Sequence, residues 1–277
     1  MNDIPVHSRK YETVRCLADK IIDENLEEGC EVLHEVNRTV LSNAFARTLR
    51  HFEAALLEQE RERVHGINGS GSLDYRLSWV WNAVRVMKDG AMSRVGGLMK
   101  EETSSRPVGW SADKFAAEIL WLAQKLIACA NGEEAVSRWG SASSLALLAL
   151  SADPRIQGTM VKVSALLFKH VKEMGAEGFE WKNEEQRERK KSILTSWLPF
   201  LCQASIGIDT PVLSNAEKME LERVLEQIIE TLKHEDEQEK VLALWLHHFT
   251  SSPLSDWPNL QACYSRWCSA SRKLLVA

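Results

Sequence analysis

Apolar residues along this chain return every three or four positions, which is the period of amphipathic helices. The first apolar stripe occupies residues 11–22 and ends near Gly29, and the second occupies residues 41–56. Two amphipathic helices joined by a short connection hide their apolar faces by packing side by side, so we expect an antiparallel hairpin. The first stripe consists of Tyr11, Val14, Leu17, Ala18, Ile21 and Ile22.

Signals for helix ends recur along the rest of the chain. The glycine-rich segment GINGSGS, at residues 66–72, predicts a flexible connector before the helical period resumes. Ser111 predicts the start of a helix, and Pro154 in a first turn predicts another. Ser214 and Glu217 have the spacing of a capping box. No segment alternates at a period of two for long enough to predict a strand.

These patterns predict an all-α fold of roughly ten amphipathic helices joined mostly by short loops. Chains of this kind hide their apolar faces in stacked helical hairpins with a solenoid-like character, or in an irregular helical bundle, and both arrangements stay open. We expect residues 1–10 to form a disordered N-terminal tail and residues 11–277 to form a single helical domain.

A helix, a turn and a second helix are predicted near the end of the chain, in the string EKVLALWLHHFTSSPLSDWPNLQACYSRW at residues 239–267. Val241, Trp245 and Phe249 recur every four residues, which gives the first helix an aromatic apolar face. Pro258 lies in what would be the first turn of the second helix. The two helices are therefore expected to pack against each other.

Four long and unusual strings carry a resemblance to a known family. They are residues 10–25 (KYETVRCLADKIIDEN), 36–49 (VNRTVLSNAFARTL), 73–95 (LDYRLSWVWNAVRVMKDGAMSRV) and the string at 239–267. From Tyr11 onward the chain resembles the C-terminal helical region of plant BTB/POZ domain-containing proteins. The resemblance implies a substrate-recognition region of presumed adaptors for cullin E3 ubiquitin ligases, and thus a link to protein ubiquitination.

The resemblance also implies an upstream BTB/POZ domain that supplies the ligase contact and dimerisation. A domain of that kind needs about 100 residues. Only ten residues precede Tyr11, so we expect this chain to lack the BTB/POZ domain itself.

Composition narrows the class of function. Hydrophobic residues make up 44% of the 277 residues and charged residues 26%, which is typical of a folded globular protein and excludes disorder throughout. The formal net charge of -5 gives no general attraction to nucleic acid, so protein partners are expected and nucleic acid is not favoured.

The lack of an apolar signal region in the first ten residues and the placement of the cysteines predict an intracellular protein. The first ten residues, MNDIPVHSRK, contain no apolar signal region, and the longest aliphatic run, residues 145–150, is too short to cross a membrane. We therefore expect a location in the cytoplasm or the nucleus, without secretion or membrane insertion. The six cysteines are dispersed, which favours reduced thiols in such a compartment.

Sequence motifs for catalysis, cofactors and metals are weak in this chain. His247, His248, Cys263 and Cys268 lie close in sequence, but their spacing does not match common structural zinc sites. The glycines at 66–72 are followed by no Lys-Ser/Thr pair, so they indicate a linker and not a phosphate loop. We therefore predict no catalytic residue, no cofactor and no metal, and a protein that is not an enzyme.

Three tryptophans are candidate contact residues because they do not share a face with aliphatic neighbours. Tryptophan is common both in helical cores and at the centre of binding surfaces. Trp257 lies in a turn between Asp256 and Pro258, where its ring either fills a gap beside a neighbouring hairpin or stands exposed for a partner, and the first is favoured. Trp79 and Trp139 complete this set.

One dense basic cluster is the other candidate surface. It consists of Arg187, Arg189, Lys190 and Lys191. Such a cluster can serve nuclear import or bind an acidic partner, but glutamates interleave with it, so a solvated helix face is the main interpretation.

The sequence as a whole favours a non-enzymatic protein–protein interaction module whose protein target and oligomeric state the sequence does not specify. An indirect link to a cullin ubiquitin ligase is implied by the resemblance. Two alternatives from other classes stay open: a nuclear regulatory or nucleic-acid-associated helical protein, and an enzyme without a recognisable motif.

Overall fold

The computed structural model describes residues 9–67, 112–174, 183–204, 212–252 and 256–276. Ten helices and no strand lie within these ranges, which confirms the all-α prediction. The helices are α1 (Arg9–Glu27), α2 (Glu31–Ile67), α3 (Ala112–Ala128), α4 (Gly132–Ser141), α5 (Ser143–Ala149), α6 (Pro154–Met174), α7 (Asn183–Gln203), α8 (Asn215–Glu230), α9 (Glu235–Thr250) and α10 (Gln261–Val276).

Local sequence signals set several helix boundaries. Gly29, between α1 and α2, has φ of 64°, a left-handed conformation that glycine adopts without steric cost. The Ser214 side chain accepts a hydrogen bond from the Glu217 backbone, and the Glu217 side chain accepts one from the Ser214 backbone, so the predicted capping box is present at α8. Helix α1 begins at Arg9, within the predicted tail, whereas residues 1–8 and Ser111 lie outside the described residues.

The helices form two layers of stacked hairpins. Helix α2, the pair α4 and α5, then α7 and α9 follow one another in the first layer, each in contact with the next. In the second layer α3 contacts α6 and α6 contacts α8, while Arg266 of α10 binds Glu226 and Glu230 of α8. Each hairpin therefore contacts mainly its neighbours, as in a solenoid-like stack, one of the two predicted arrangements.

One continuous hydrophobic core runs between the layers, and tryptophans occupy its widest parts. Trp139, Trp197 and Trp245 are among the largest fully buried side chains. The Trp245 Nε1–H donates to the Pro258 carbonyl oxygen at 2.8 Å, so the aromatic face of α9 packs against the segment before α10. Helix α10 begins at Gln261, so the expectation that Pro258 lies in its first turn is wrong. Among the helices in the described ranges, none combines the length and apolar character needed to cross a bilayer.

Helix α1 lies at the N-terminal end of the stack. Asn37 of α2 donates to the Ile22 carbonyl oxygen at 3.2 Å, and Asn25 donates to the Asn37 side chain at 2.9 Å, which confirms the predicted hairpin of α1 and α2. The other side of α1 faces α3, where Trp121 Nε1–H donates to Asp19 at 2.9 Å. Lys125 also binds Asp19, so α1 is fixed to the first hairpin of the stack.

Burial of the predicted α1 stripe is only partial. Tyr11 and Ile22 are buried, but Leu17 is 56% exposed and Ile21 is 49% exposed. The packing of α1 therefore leaves these two residues of the predicted stripe exposed.

Candidate functional site

Trp139, one of the three candidate tryptophans, lies in the core and not at the surface. Its indole is fully buried and donates from Nε1 to the Ser164 hydroxyl at 3.3 Å. The ring of Trp197 stacks on it from α7. Trp139 therefore joins α4 to α7, and its ring has no free face for a partner.

Trp257 occupies a gap beside a neighbouring helix. Its side chain is buried, and its Nε1–H points at the Lys218 carbonyl oxygen in α8 at 3.4 Å. This is the favoured one of the two predicted roles, in which the ring fills a space in the stack. Trp79, the third candidate, lies outside the described residues.

The basic cluster on α7 is bound to carboxylates within the chain. Arg187 pairs with Glu184 and also approaches Glu237 of α9, with Nε at 3.9 Å from Oε2. Arg189 Nη1 lies 2.8 Å from Glu133 Oε2 in α4. The guanidinium groups therefore hold α7 against its two neighbours in the first layer, which leaves less of their charge for an external anion.

The two lysines of the cluster are also engaged within the fold. Lys191 Nζ lies 3.4 Å from Glu237 Oε1 and 3.4 Å from Glu188 Oε1, and these carboxylates raise its pKa. Lys190 donates to the Thr231 hydroxyl at 3.1 Å, and burial lowers its pKa. The whole cluster therefore works as a set of internal contacts between helices.

A different surface has the character of a contact site. Val32, Val36 and Val40 of α2 are 70%, 48% and 60% exposed and follow one another at four-residue spacing on one helix face. We call these three residues the valine stripe. Exposed large apolar side chains are common singly, but a contiguous row of them marks an interaction site.

Acidic residues surround the valine stripe and form ion pairs within α2. A shallow depression along α2 is lined by the stripe together with Glu31, Glu35 and Thr39. Both glutamates bind Arg38, which projects from the same part of α2. The stripe therefore has an apolar centre with a polar rim, which is the usual composition of a protein interface.

The exposed residues of α1 lie near the same end of the hairpin. The bond between Asn37 and the Ile22 carbonyl sets the register of the two antiparallel helices. In this register Ile21 lies at about the height of Arg38, and Leu17 lies about one turn further along α1. Leu17 and Ile21 are therefore two further exposed apolar residues of this hairpin.

A groove between α2 and α4 is a second concave surface, with one more positive than negative side chain in its lining. Arg47, Arg50 and Arg138 line it together with Glu53 and Glu134. The Arg138 guanidinium pairs with Glu134, and Ser144 donates to Glu53 at 2.6 Å. Because both carboxylates have internal partners, this groove offers no free acid and base pair for catalysis.

Potential metal ligands do not converge in the part of the chain that the structure describes. No group of three or more His, Cys, Asp and Glu side chains is placed there to hold an ion. The His247 and His248 rings meet edge to face at 5.0 Å between centroids, and burial lowers the pKa of His248. Burial also raises the pKa of Cys263 to about 11, as expected for an unreactive core thiol.

Comparison of this chain with family models, with curated proteins and with solved structures gives no match.

Sequence reasoning missed the valine stripe, although a signal for it was available. Residues 41–56 already carry an apolar face on α2 that suffices for packing against α3. Val32, Val36 and Val40 lie about 100° or more away from the centre of that face. An apolar arc this wide exceeds what one neighbouring hairpin covers, and counting it would have indicated the exposed row.

Proposed function

We propose that the chain is a non-enzymatic protein-interaction module that binds a protein partner through the valine stripe. The observation that carries the proposal is the exposure, between 48% and 70%, of three aliphatic side chains at four-residue spacing on one face of α2. Removing apolar surface from water contributes about 25 cal/mol per Å². A partner that covers this row removes apolar surface from water, which stabilises the complex relative to the separate proteins.

The other candidate residues favour the same choice of surface. Trp139 and Trp257 are held in the core, and the basic residues of α7 are held by carboxylates of α4, α7 and α9. A role in binding nucleic acid needs cations that are free to neutralise phosphates. The engagement of the α7 cluster therefore favours protein binding over the nuclear or nucleic-acid alternative.

The resemblance to plant BTB/POZ adaptors supplies a biological setting for the proposal. Two of the resembling strings, residues 10–25 and 36–49, contain Leu17, Ile21, Val36 and Val40, so the resemblance and the exposed surface coincide. In this setting the chain recognises a substrate protein for a cullin ubiquitin ligase. Contact with the ligase itself would come from a BTB/POZ domain.

Affinity capture with matched surface variants tests the proposal. The wild-type chain, Val36→Asp and Met219→Asp are used as baits in plant extract, and captured proteins are quantified by mass spectrometry with a separate probe for cullin. Met219 of α8 is 53% exposed and lies outside the stripe, so its variant controls for the added charge. We expect specific partners to be lost with Val36→Asp and kept with Met219→Asp.

Two further measurements make the capture result decisive. Circular dichroism and thermal unfolding must show that both variants fold like the wild type, as expected for exposed positions. An identical set of captured proteins for all three baits would contradict binding through the valine stripe. Cullin captured by the chain alone would contradict the assignment of ligase contact to a separate domain.

A further inference from the structure

We infer that the partner of the valine stripe is an amphipathic helix with aliphatic anchors and a basic polar face. This inference rests on the proposed function and names the class of partner. It follows from three features of the stripe: its helical spacing, the closed backbone beneath it and the acidic residues around it.

The spacing and the backbone favour a helical partner over an extended one. From Val32 to Val40 the stripe runs nearly parallel to the axis of α2 for about 12 Å, or a little more than two turns. The backbone groups beneath Val36 and Val40 are bonded within α2, so an extended segment finds no free strand edge with which to pair there. A helix satisfies its own backbone and meets a row of valines with side chains at three- and four-residue spacing.

Charge at this end of the molecule favours a basic partner. Residues 19–40 contain seven acidic residues against Lys20 and Arg38. Lys125 of α3 compensates part of this charge by binding Asp19 and Asp23. The carboxylates nearest the stripe, Glu31 and Glu35, have side chains 78% and 65% exposed, and Arg38, which pairs with both, neutralises only one of their two charges.

The same charge distribution argues against a second copy of this chain as the occupant. In a twofold symmetric dimer the stripe would face itself, and the acidic segments 19–40 of both copies would come together at one interface. Like charges opposed across an interface oppose association. Lysine or arginine residues beside the anchors of a partner helix instead neutralise these glutamates.

Two synthetic helical peptides test the inference directly. Both are about 18 residues long, or five turns, with leucine anchors at three- and four-residue spacing. One has a lysine- and arginine-rich polar face, and the other has glutamate at the same positions. Fluorescence anisotropy measures the binding of each to the full chain at low and moderate salt.

We expect the basic peptide to bind about tenfold or more tightly than the acidic one, with an advantage that shrinks as salt screens the charges. Val36→Ser with Val40→Ser keeps every carboxylate and should weaken binding of the basic peptide about tenfold, whereas Met219→Ser should not. Glu31→Gln with Glu35→Gln should reduce the preference for the basic peptide. Circular dichroism of each variant confirms its fold.

Several outcomes would overturn the inference. Equal or tighter binding of the acidic peptide contradicts the basic partner, and binding that survives loss of both valines reduces the interaction to general charge attraction. Sedimentation that detects a dimer dependent on Val36 identifies a second copy as the occupant. If neither peptide binds but capture of proteins from extract still depends on Val36, the helical partner is contradicted and the proposed function stands.

Discussion

The indole rings of Trp139 and Trp197 lie face to face, with centroids 3.8 Å apart and an angle of 6° between their planes. Trp197 Nε1–H also donates to the Trp139 carbonyl oxygen at 2.7 Å. One pair of residues thus joins α4 to α7 by aromatic stacking and by a buried hydrogen bond. This relationship lies in the middle of the stack and connects consecutive members of its first layer.

Replacing Trp197 tests how much this pair stabilises the fold. We expect Trp197→Ala to lower the free energy of unfolding by about 3–5 kcal/mol, because it leaves a large cavity. Trp197→Phe should cost less, about 1–3 kcal/mol, because it keeps a ring but leaves the Trp139 carbonyl without its donor. Urea unfolding followed by circular dichroism measures both, with exposed Met219→Ala as the control. Equal stability of all four chains would contradict the structural role.

A buried carboxylate between α7 and α9 gives a second prediction. Glu237 is buried, and Arg187 and Lys191, one turn apart on α7, both approach it. Glu237→Ala should lower the free energy of unfolding by about 1–3 kcal/mol, because it leaves two partly buried cations with one fewer partner. Asp236→Asn on the same helix removes a carboxylate from an exposed pair and serves as control.

Asp236→Asn should change stability much less than Glu237→Ala, since water already screens the pair of Asp236 and Lys240. Thermal unfolding of the two variants side by side measures the difference. A larger loss for the exposed variant would contradict the picture of α7 as a helix anchored by its ion pairs. A gel shift with Glu237→Ala also reports whether the released cations bind DNA at low salt.

Close packing at the start of α4 gives a third prediction. A Cβ added at Gly132 would lie 2.1 Å from His170 Nε2 of α6. We expect Gly132→Ala to destabilise the chain by about 1–3 kcal/mol, because the imidazole has to move. His170→Ala combined with Gly132→Ala should recover part of that loss, as a double-mutant cycle would measure. Purely additive effects would count against direct contact.

The pH dependence of stability should report on Tyr11, which joins α1 to α3. Burial, first, and then the hydrogen bond to Glu118 and its negative charge raise the pKa of Tyr11 above that of an exposed tyrosine. Below pH of about 10 the phenol is neutral in both folded and unfolded chains, so its contribution is fully present. Above that pH the unfolded chain loses its proton first, and stability falls by up to about 1.4 kcal/mol per pH unit.

Tyr11→Phe isolates this contribution, because the other ionising groups stay the same in both chains. Denaturant unfolding between about pH 8 and 11 should give a steeper alkaline decline for the wild type than for Tyr11→Phe. Parallel declines would mean that the phenol is not shielded between α1 and α3.

Much of the fold was predictable because helix signals are local. The capping box of Ser214 and Glu217 and the glycine after α1 act within one turn of chain, so the sequence contains the whole interaction. The aromatic face of Trp245 was predictable for the same reason. Whether the helices form a stack or an irregular bundle depends on contacts between distant segments, and the sequence left that choice open.

The candidate site was harder to predict, since exposure is decided by neighbours that are far away in sequence. Trp139 shares no helix face with aliphatic residues nearby in sequence, but Trp197, 58 residues later, covers its ring. The cations of α7 are adjacent to local glutamates, yet Glu133 and Glu237 come from other helices. The sequence shows that the apolar arc of α2 is wide, but which part of it stays uncovered depends on helices that are far away in sequence.

The layered arrangement also separates the two ends of the molecule energetically. Helices α1 and α2 stand at one end and α9 and α10 at the other, and the substantial contacts of each hairpin are with the hairpins next to it. A disturbance at one end must pass through every intervening hairpin and is attenuated at each step. Occupancy of the N-terminal end should thus leave amide hydrogen exchange in α10 almost unaltered, so the far terminus tolerates fusion or labelling while the opposite one is bound.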